Sequence, residues 1–270
     1  MARFITFLTD FGLQDDFVGT CHGVMKRIAP DVQIIDVTHG IAPQQVLQGA
    51  LVLASTLEYM PLGVHLAVVD PGVGGARRPL ALEDAEGRLY VGPDNGLLVP
   101  AAEAGGGIAA AHELANPRYA LQPVSHTFHG RDLFSPAAAH LASGVPLAEL
   151  GPPIDPELLV RLALPAAEVE PSRIGATALA VDRFGNVQLN VGAAALEEAG
   201  GEPGARVRLE LSSGGRAAVV ARTFADVAPG EVVVFVDSYG NVALAVSSGR
   251  AAETLGVRPG EKVWIEIGSS

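Results

Sequence analysis

A continuous apolar segment, Val64–Val69, is the feature that most constrains the fold of this chain of 270 residues. Five apolar or small residues and His65 make it uniformly hydrophobic, which predicts a strand buried on both faces of a parallel sheet. The segment is followed by Asp70, a Pro/Gly-rich loop and the pair Arg77-Arg78. An acid at the carboxyl end of a buried strand is where open α/β sheets place ligand chemistry. The loop lacks the GxxxxGK[ST] pattern that cradles a phosphate, so we expect a different kind of ligand there.

Strand and helix patterns alternate over the first 150 residues. Strands separated by helices of about ten or more residues predict βαβ units and a mainly parallel sheet. Pro136 suits the first turns of the last helix, and Gly144 suits its end. The strand patterns are Arg3–Leu8, Gln33–Val37, Val64–Val69, Pro79–Leu82 and Leu89–Gly92, and the helix patterns are Val18–Ile28, Gln45–Tyr59, Asp94–Ala104 and Arg131–Ser143.

The composition changes after Gly144. Six prolines interrupt the segment up to Pro171, and short β runs separated by glycine turns follow from Ile174. Such runs are typical of a small antiparallel sandwich or barrel. We therefore predict an α/β domain with a mainly parallel sheet flanked by helices over 1–164, a linker over 165–173, and a smaller all-β, barrel-like domain over 174–270. The β runs are Ala176–Val181, Val187–Val191, Val207–Leu211, Ala217–Ala221, Val232–Val236, Val242–Val246 and Val263–Ile267.

The β half contains a repeat. The pattern V-D-x-aromatic-G-N-V-x-L-x-V occurs at Val181–Val191 and again at Val236–Val246. A Gly-Asn pair between two β runs is a hairpin signal, and a turn alone would explain each copy. Two copies with the same acid and aromatic residue also suggest a pair of similarly shaped binding loops.

The charge and the cysteine content of the chain exclude several kinds of partner and site. The formal net charge of −12 argues against nucleic acid or an anionic membrane as partner and suits a cationic small molecule. Cys21 is the single cysteine, so neither an intramolecular disulfide nor a cysteine zinc cluster can form. A chain without disulfides fits a reducing compartment. The start of the chain lacks a signal-peptide pattern, and no apolar run approaches the ~18 residues of a membrane span. These features predict a soluble, cytoplasmic protein.

An acidic loop, Thr9–Phe17, lies between the first strand and the first helix. Helix capping would explain one of Asp15 and Asp16, because Asp favours helix N-termini. It does not explain Asp10, which lies at the end of the strand and could accept hydrogen bonds from both hydroxyls of a ribose. A magnesium or calcium site is the alternative, but Asp70 and Asp182 would have to complete it.

A second polar loop, Thr127–Asp132, precedes the last helix of the α/β half. A single histidine is most often a structural hydrogen-bonding residue, and His22, His65 and His140 lie in helix or apolar patterns. His129 differs because it lies in a loop beside a charged pair. The chain has no HExxH zinc motif, no GxSxG elbow and no GxGxxG loop.

Seven motifs together resemble the S-adenosyl-L-methionine (SAM) hydroxide adenosyltransferases, which hydrolyse SAM to adenosine and are related to fluorinase and chlorinase. The motifs are FLTDFGLQDDFVG, DVTHGI, VVDPGVG, GPDNGLL, TFHGRDLF, VDRFGNV and VDSYGNV, in the family's order and in both predicted domains. The resemblance implies an α/β domain, a C-terminal barrel-like domain and a homotrimer. Its SAM sites would lie between the N-terminal domain of one subunit and the C-terminal domain of its neighbour. We expect no cofactor and no metal, because the carboxylates are needed for ribose and ammonium and the leaving group is already charged.

The resemblance also implies roles for individual residues. The catalytic triad of the family falls on Asp70, Arg77 and His129. Tyr239 departs from the arginine that binds the methionine carboxylate in the fluorinase, and Gln44 replaces its pocket tryptophan. The residues implied to bind substrate are Asp10 at the ribose, Asp15, Phe17 and Phe128 in the N-terminal loops, Asp182, Ser238 and Tyr239 at the methionine end, and Phe184, Asn186, Val246 and Ser248 around the nucleoside.

Two alternatives remain open at this point. One is a halogenase of the same fold, but a carboxylate at Asp70 would repel a halide nucleophile, and the long insertion of the fluorinase between Leu82 and Leu89 is missing. The other is a non-catalytic sensor of SAM or adenosine, which would not need Asp70, Arg77 and His129 together. The expected activity is therefore attack of water or hydroxide on C5′ of the ribose of SAM.

Overall fold

The structure is a computed structural model that describes residues 4–163 and 165–268. The chain divides into two compact units, one ending at Leu162 and the other beginning at Ala163. Each unit has its own buried apolar core. The mixed α/β architecture with a second, all-strand barrel agrees with the predicted fold class.

The first unit is built on one six-stranded sheet in the order β2-β1-β3-β5-β4-β6. Strands β1, β2, β3 and β5 pair in parallel, whereas β4 pairs antiparallel with β5 and β6. The part of the sheet formed by β2, β1, β3 and β5 is therefore parallel, and the predicted ligand loops follow two of these strands, β1 and β3. The strands are β1 Phe4–Thr9, β2 Gln33–Thr38, β3 Val64–Val68, β4 Pro79–Asp84, β5 Leu89–Pro93 and β6 Ile108–Glu113.

Helices cover both faces of this sheet. Val64, Leu66 and Val68 of β3 pack into the core cluster that includes residues of α1 and α4. Ala67 and Val69 pack into the opposite cluster, with residues of α2 and α3. Burial on both faces explains the uniform hydrophobicity of β3. The helices are α1 Phe17–Ile28, α2 Val46–Thr56, α3 Val99–Ala104 and α4 Ser135–Ala142, and none among the described residues is long and apolar enough to cross a membrane.

The helix predicted over Asp94–Ala104 begins five residues later, at Val99. Asp94 accepts hydrogen bonds from the Arg78 side chain at 2.8 Å and from Val160 N at 2.9 Å. Asn95 Nδ2 donates to Val69 O at 2.8 Å. These hydrogen bonds hold residues 94–98 in a bent conformation after β5. They take the place of the first turn of the predicted helix.

The helix predicted over Arg131–Ser143 has two parts. A π-helical turn, Gly130–Phe134, runs directly into α4. Single π turns are energetically unfavourable and occur often at functional sites. Strand β6 was not predicted, because its sequence IAAAHE has only one β-branched residue and its pairing with β4 is set by tertiary structure.

The second unit is a closed barrel of seven strands in the part of the chain from residue 165 to 268. The order is β14-β10-β11-β12-β13-β9-β8, and β8 pairs back onto β14. The barrel matches the predicted barrel-like domain, except that β11 and β12 run parallel. An eighth strand, β7 Glu168–Glu170, lies within the predicted linker and pairs with β8 outside the closed barrel. The barrel strands are β8 Arg173–Val181, β9 Val187–Gly192, β10 Arg206–Leu211, β11 Gly214–Val220, β12 Val232–Val236, β13 Asn241–Val246 and β14 Lys262–Ile267. The unit also has the helices α5 Ala193–Glu198 and α6 Ala251–Leu255.

Candidate active site

The loop after β3 carries a buried ion pair between Asp70 and Arg77. Arg77 Nε lies 3.0 Å from both carboxylate oxygens of Asp70, and Arg77 Nη2 also donates to Asp70 Oδ2. The side chains are only 6% and 10% exposed, respectively. A charged carboxylate in such a place needs a partner, because burial of an unpaired charge is costly. The loop therefore supplies its own counter-ion.

The same guanidinium reaches His129, which lies immediately before the π-helical turn. Arg77 Nη2 is 2.7 Å from His129 Nδ1. A guanidinium has only donors, so His129 Nδ1 is the acceptor in this bond and the ring proton lies on Nε2. The Asp70, Arg77 and His129 side chains that the sequence singled out are thus brought together, with Arg77 at the centre.

The protonation of His129 follows from its surroundings. Partial burial, followed by the positive charge of Arg77, lowers the pKa of His129 below its ordinary value of 6.5. Asp70 and the backbone of Ser125 act in the opposite direction but do not reverse the shift. Near pH 7 the imidazole is therefore neutral, with its proton on Nε2.

Asp132 fixes the loop that presents His129. Its carboxylate accepts from Ser125 N at 2.9 Å and from Arg131 Nε at 2.6 Å. Its carbonyl accepts from Leu121 N at 2.8 Å. The hydrogen bonds with Arg131 and Ser125 outweigh the opposing effect of burial, which is the largest single contribution, and lower the pKa of Asp132. The Arg131-Asp132 pair thus stabilises the loop rather than facing a ligand.

Aromatic side chains from two loops and from the start of α1 pack together in this unit. The Phe11, Phe17 and Phe128 rings lie 5.1–6.0 Å apart in edge-on contacts. Phe17 remains 41% exposed, so the cluster presents an apolar surface to solvent. The Arg77 guanidinium also lies over the Phe134 ring, 5.1 Å from its centroid. This contact keeps the guanidinium plane in place.

The three aspartates of the acidic loop after β1 have different surroundings, and none of the contacts below is a helix cap. Asp10 Oδ2 accepts from the backbone N of Gln44 at 2.8 Å, and Gln44 has a positive φ of 66°. Asp15 lies exposed on the loop. Asp16 is the residue at the helix N-terminus, but its side chain accepts from Thr20 Oγ1 at 2.9 Å rather than capping the backbone. Asp10 thus links the loop after β1 to the segment that precedes α2.

The two repeated loops of the barrel have the same fold. Asp182 Oδ1 accepts from Phe184 N and Asn186 N, and Asp237 Oδ1 accepts from the backbone at the equivalent positions, all at 2.8–2.9 Å. Gly185 supplies the positive φ of 87° that the turn requires. The hairpin interpretation therefore holds for both copies. Asp182 Oδ2 also accepts from Asn186 Nδ2 at 2.8 Å, so Asp182 positions the Asn186 amide.

A cleft of about 450 Å³ opens beside the first of these loops. Four of its lining residues were predicted to surround a nucleoside, and the cleft also contains Phe224 and Arg250, which were not predicted. Phe224 is 46% exposed and Phe184 75% exposed, so both rings have free surface. Ser238 and Tyr239 lie exposed on the second loop. The predicted residues that line the cleft are Phe184, Asn186, Val246 and Ser248.

No local sequence signal marked Phe224 and Arg250. Phe224 follows Thr223, whose hydroxyl and Asp226 form a capping box that indicates only a short helical turn. Arg250 Nη1 donates to Arg183 O at 2.9 Å, and its side chain packs over Gly185. Both residues reach the cleft through contacts between segments far apart in the chain.

The fold and site define a class of two-domain proteins. Their α/β unit carries an acid–guanidinium–imidazole cluster at the carboxyl edge of a parallel sheet, and their second unit is a small barrel. The sequence profile of the SAM hydroxide adenosyltransferase N-terminal domain matches residues 5–151, and that of the C-terminal domain matches residues 176–264. The chain belongs to the SAM hydroxide adenosyltransferase family, which confirms the assignment made from its seven motifs.

Full-length relatives support this assignment. An (R)-S-adenosyl-L-methionine hydrolase from Salinispora tropica is 52% identical over 265 residues, which are 98% of each chain. The protein of the same name from Thermus thermophilus is 40% identical, over 97% of this chain and 98% of its own. A fluorinase from Actinoplanes sp. is 31% identical, over 97% of this chain and 96% of its own.

Two solved structures share the architecture. A conserved protein from Thermotoga maritima superposes with a TM-score of 0.90 at 36% identity, over 97% of this chain and 99% of that chain. A conserved protein from Thermus thermophilus gives a TM-score of 0.77 at 37% identity, over 98% of this chain and 100% of that chain.

Proposed function

We propose that this protein is an enzyme that hydrolyses SAM to adenosine and L-methionine by attack of water on C5′ of the ribose. The observation that carries the proposal is the Asp70–Arg77–His129 cluster in a chain of this family. Relatives at 40–52% identity are named hydrolases of (R)-S-adenosyl-L-methionine, so we include the R configuration at sulfur in the proposed substrate.

The chemistry of SAM explains why so few groups are required. Its sulfonium is already a good leaving group, so the enzyme needs no acid to protonate it and no metal to polarise it. As the water oxygen bonds to C5′, the C5′–S bond breaks and its electron pair stays on sulfur, which leaves neutral methionine thioether. The protein must hold the water in line behind C5′ at roughly 3–3.5 Å and take up one proton.

The geometry favours Asp70 as the group that takes the proton. His129 Nδ1 is occupied by Arg77, and its Nε2 carries a hydrogen, so the neutral ring offers a donor rather than a base. The Asp70 carboxylate has lone pairs beyond those that face Arg77. In this mechanism His129 orients the water, Asp70 accepts its proton, and Arg77 fixes both side chains and stabilises the developing hydroxide.

The remaining predicted residues have consistent roles as substrate-binding groups. Asp10 would accept from the ribose hydroxyls, and the cleft with Phe184, Phe224 and Asn186 would hold the adenine between aromatic surfaces and an amide. SAM carries a net positive charge at neutral pH, so the acidic surface of the protein favours its approach. A buried carboxylate at Asp70 disfavours a halide in the same place.

Product analysis tests the proposal. EDTA-treated protein is incubated with (R)-SAM and with (S)-SAM, each with and without chloride, and the products are separated by chromatography. We expect adenosine and methionine in equal amounts from the R form, no effect of chloride, and retention of activity in EDTA. Formation of 5′-chloroadenosine would assign a halogenase, and stable binding of SAM without products would assign a sensor.

Substitutions at Asp70 and His129 separate their roles. Asp70→Asn keeps the size of the side chain but removes the base, so kcat should fall by roughly 10²–10⁴-fold. His129→Gln keeps an amide donor and an oxygen that can accept from Arg77, so it should retain clearly more activity than His129→Ala. The matched control is His126→Ala, which removes an exposed histidine from the same loop.

The measurements are kcat from initial rates and the SAM dissociation constant from calorimetry with Asp70→Asn. Binding should remain within a few-fold of the wild type because neither residue is assigned to adenine or methionine. Equal losses in His129→Gln and His129→Ala, with an active Asp70→Asn, would show instead that His129 is the base.

We also propose the homotrimer that the family resemblance implies, with each site shared between neighbouring subunits. Light scattering should then give the mass of three chains. Co-expression of Asp70→Asn chains with Asn186→Ala chains should restore activity, because roughly a quarter of the shared sites would contain two intact halves. A monomeric mass, or co-expressed protein no more active than the separate variants, would contradict this assembly.

A further inference from the structure

Two histidines and an aspartate converge on the opposite side of β1 from the ligand loop of β3. His22 lies in α1, Asp36 in β2 and His39 just after β2. His22 Nε2 is 2.9 Å from Asp36 Oδ1, and His39 Nε2 is 3.2 Å from the same oxygen. One ligand atom from each residue lies within 4.8 Å of the others. None of these three residues lies in the loops that carry Asp70, Arg77 and His129.

The buried histidine of this group has an incomplete hydrogen-bond set. The His39 side chain is 3% exposed, and its Nε2 is buried without a hydrogen bond of acceptable geometry, although it faces Asp36. Its Nδ1 lies 2.8 Å from Thr9 Oγ1, which also accepts from Phe11 N. A hydroxyl oxygen can accept both bonds. Metal-bound histidines are typically held in this way, with one nitrogen on a polar group and the other directed at the ion.

The donor set has the character of a zinc site. Zn²⁺ binds imidazole nitrogens and carboxylate oxygens at about 2.0–2.2 Å, so neighbouring ligand atoms of a tetrahedral ion lie about 3.3–3.5 Å apart. The two shortest separations in the cluster, 2.9 and 3.2 Å, are hydrogen-bond distances, so a bound ion would widen them by about 0.1–0.6 Å. Two imidazoles disfavour Mg²⁺ and Ca²⁺, which prefer oxygen ligands. The side chains of His22 and Asp36 are 32% and 43% exposed, which gives an ion access from solvent and leaves room for water as a further ligand.

We propose that His22, Asp36 and His39 form a three-ligand binding site for a divalent transition-metal ion, with Zn²⁺ as the best match. The ion would connect α1 to the end of β2. His39 O also accepts from Gly12 N at 2.8 Å, so the site lies next to the loop that carries Asp10. The role assigned to the ion is stabilisation of this corner of the first unit, not participation in hydrolysis.

Metal titration of the intact, untagged protein tests this site. After EDTA treatment and its removal, Zn²⁺ binding is measured by calorimetry, and Co²⁺ binding by visible absorption, which reports ligand geometry. We expect one tight site per chain. His22→Ala and Asp36→Asn should each weaken binding by at least about tenfold, the loss usual even for residues that only orient ligands. The exposed His126→Ala variant serves as the control and should bind like the wild type.

Thermal unfolding provides a second readout. Zn²⁺ should raise the Tm of the wild type and of His126→Ala, because an ion that binds only the folded state stabilises it, and should raise that of Asp36→Asn much less. The two partly exposed positions carry the test because loss of the buried His39 could unfold the protein. Absence of a one-to-one site in the wild type, or equal binding by His22→Ala, Asp36→Asn and wild type, would overturn the proposal.

Discussion

The two-sided contact of Arg77 with Asp70 and His129 is the interaction on which the candidate active site depends. The Asp70 side chain is only 6% exposed at the end of a strand that is itself covered on both faces, so bulk water compensates little of a charge there. Arg77 supplies that compensation with three hydrogen bonds to the carboxylate. Loss of either partner would leave an unpaired buried charge, which is strongly destabilising.

The same contact determines which groups can donate and which can accept. A guanidinium cannot accept a hydrogen bond, so the histidine that it touches is held neutral with its proton on the far nitrogen. The same guanidinium donates to the Asp70 carboxylate, so one side chain fixes both neighbours. A water molecule between an acceptor and a donor is oriented without metal assistance, which suits a substrate whose leaving group already carries a positive charge.

The sequence predicted those parts of the fold that depend on local pattern. Uniform hydrophobicity located β3, and the acid after it predicted a ligand loop. The repeated Gly-Asn turns predicted both barrel loops. For the helix predicted over Asp94–Ala104, the structure confirms Val99–Ala104 but not the first five residues, since hydrogen bonds of Asp94 and Asn95 with distant residues replace the first helical turn. Such bonds are set by tertiary contacts that no short pattern contains.

In the candidate site, too, local patterns predicted some features and tertiary contacts determined the others. Asp70, Arg77 and His129 were found through motifs, but the position of Arg77 between the other two was not predictable from their spacing. Phe224 and Arg250 reach the cleft through the closure of the barrel. His22 and Asp36 are 14 residues apart and meet only because α1 packs beside β2. The internal hydrogen bonds of Asp182 likewise show a turn-forming role that exists beside its predicted contact with substrate.

The most direct test of this account is the protonation state of His129, measured by nitrogen-15 NMR of the histidine side chains over a pH range. The His129→Gln variant assigns the signal. The contact with Arg77 predicts a neutral ring at pH 7 with the proton on Nε2 and a pKa below 6.5. A proton on Nδ1, or a pKa above that value, would show that Arg77 does not hold the ring as an acceptor and would contradict the assignment of Asp70 as the base.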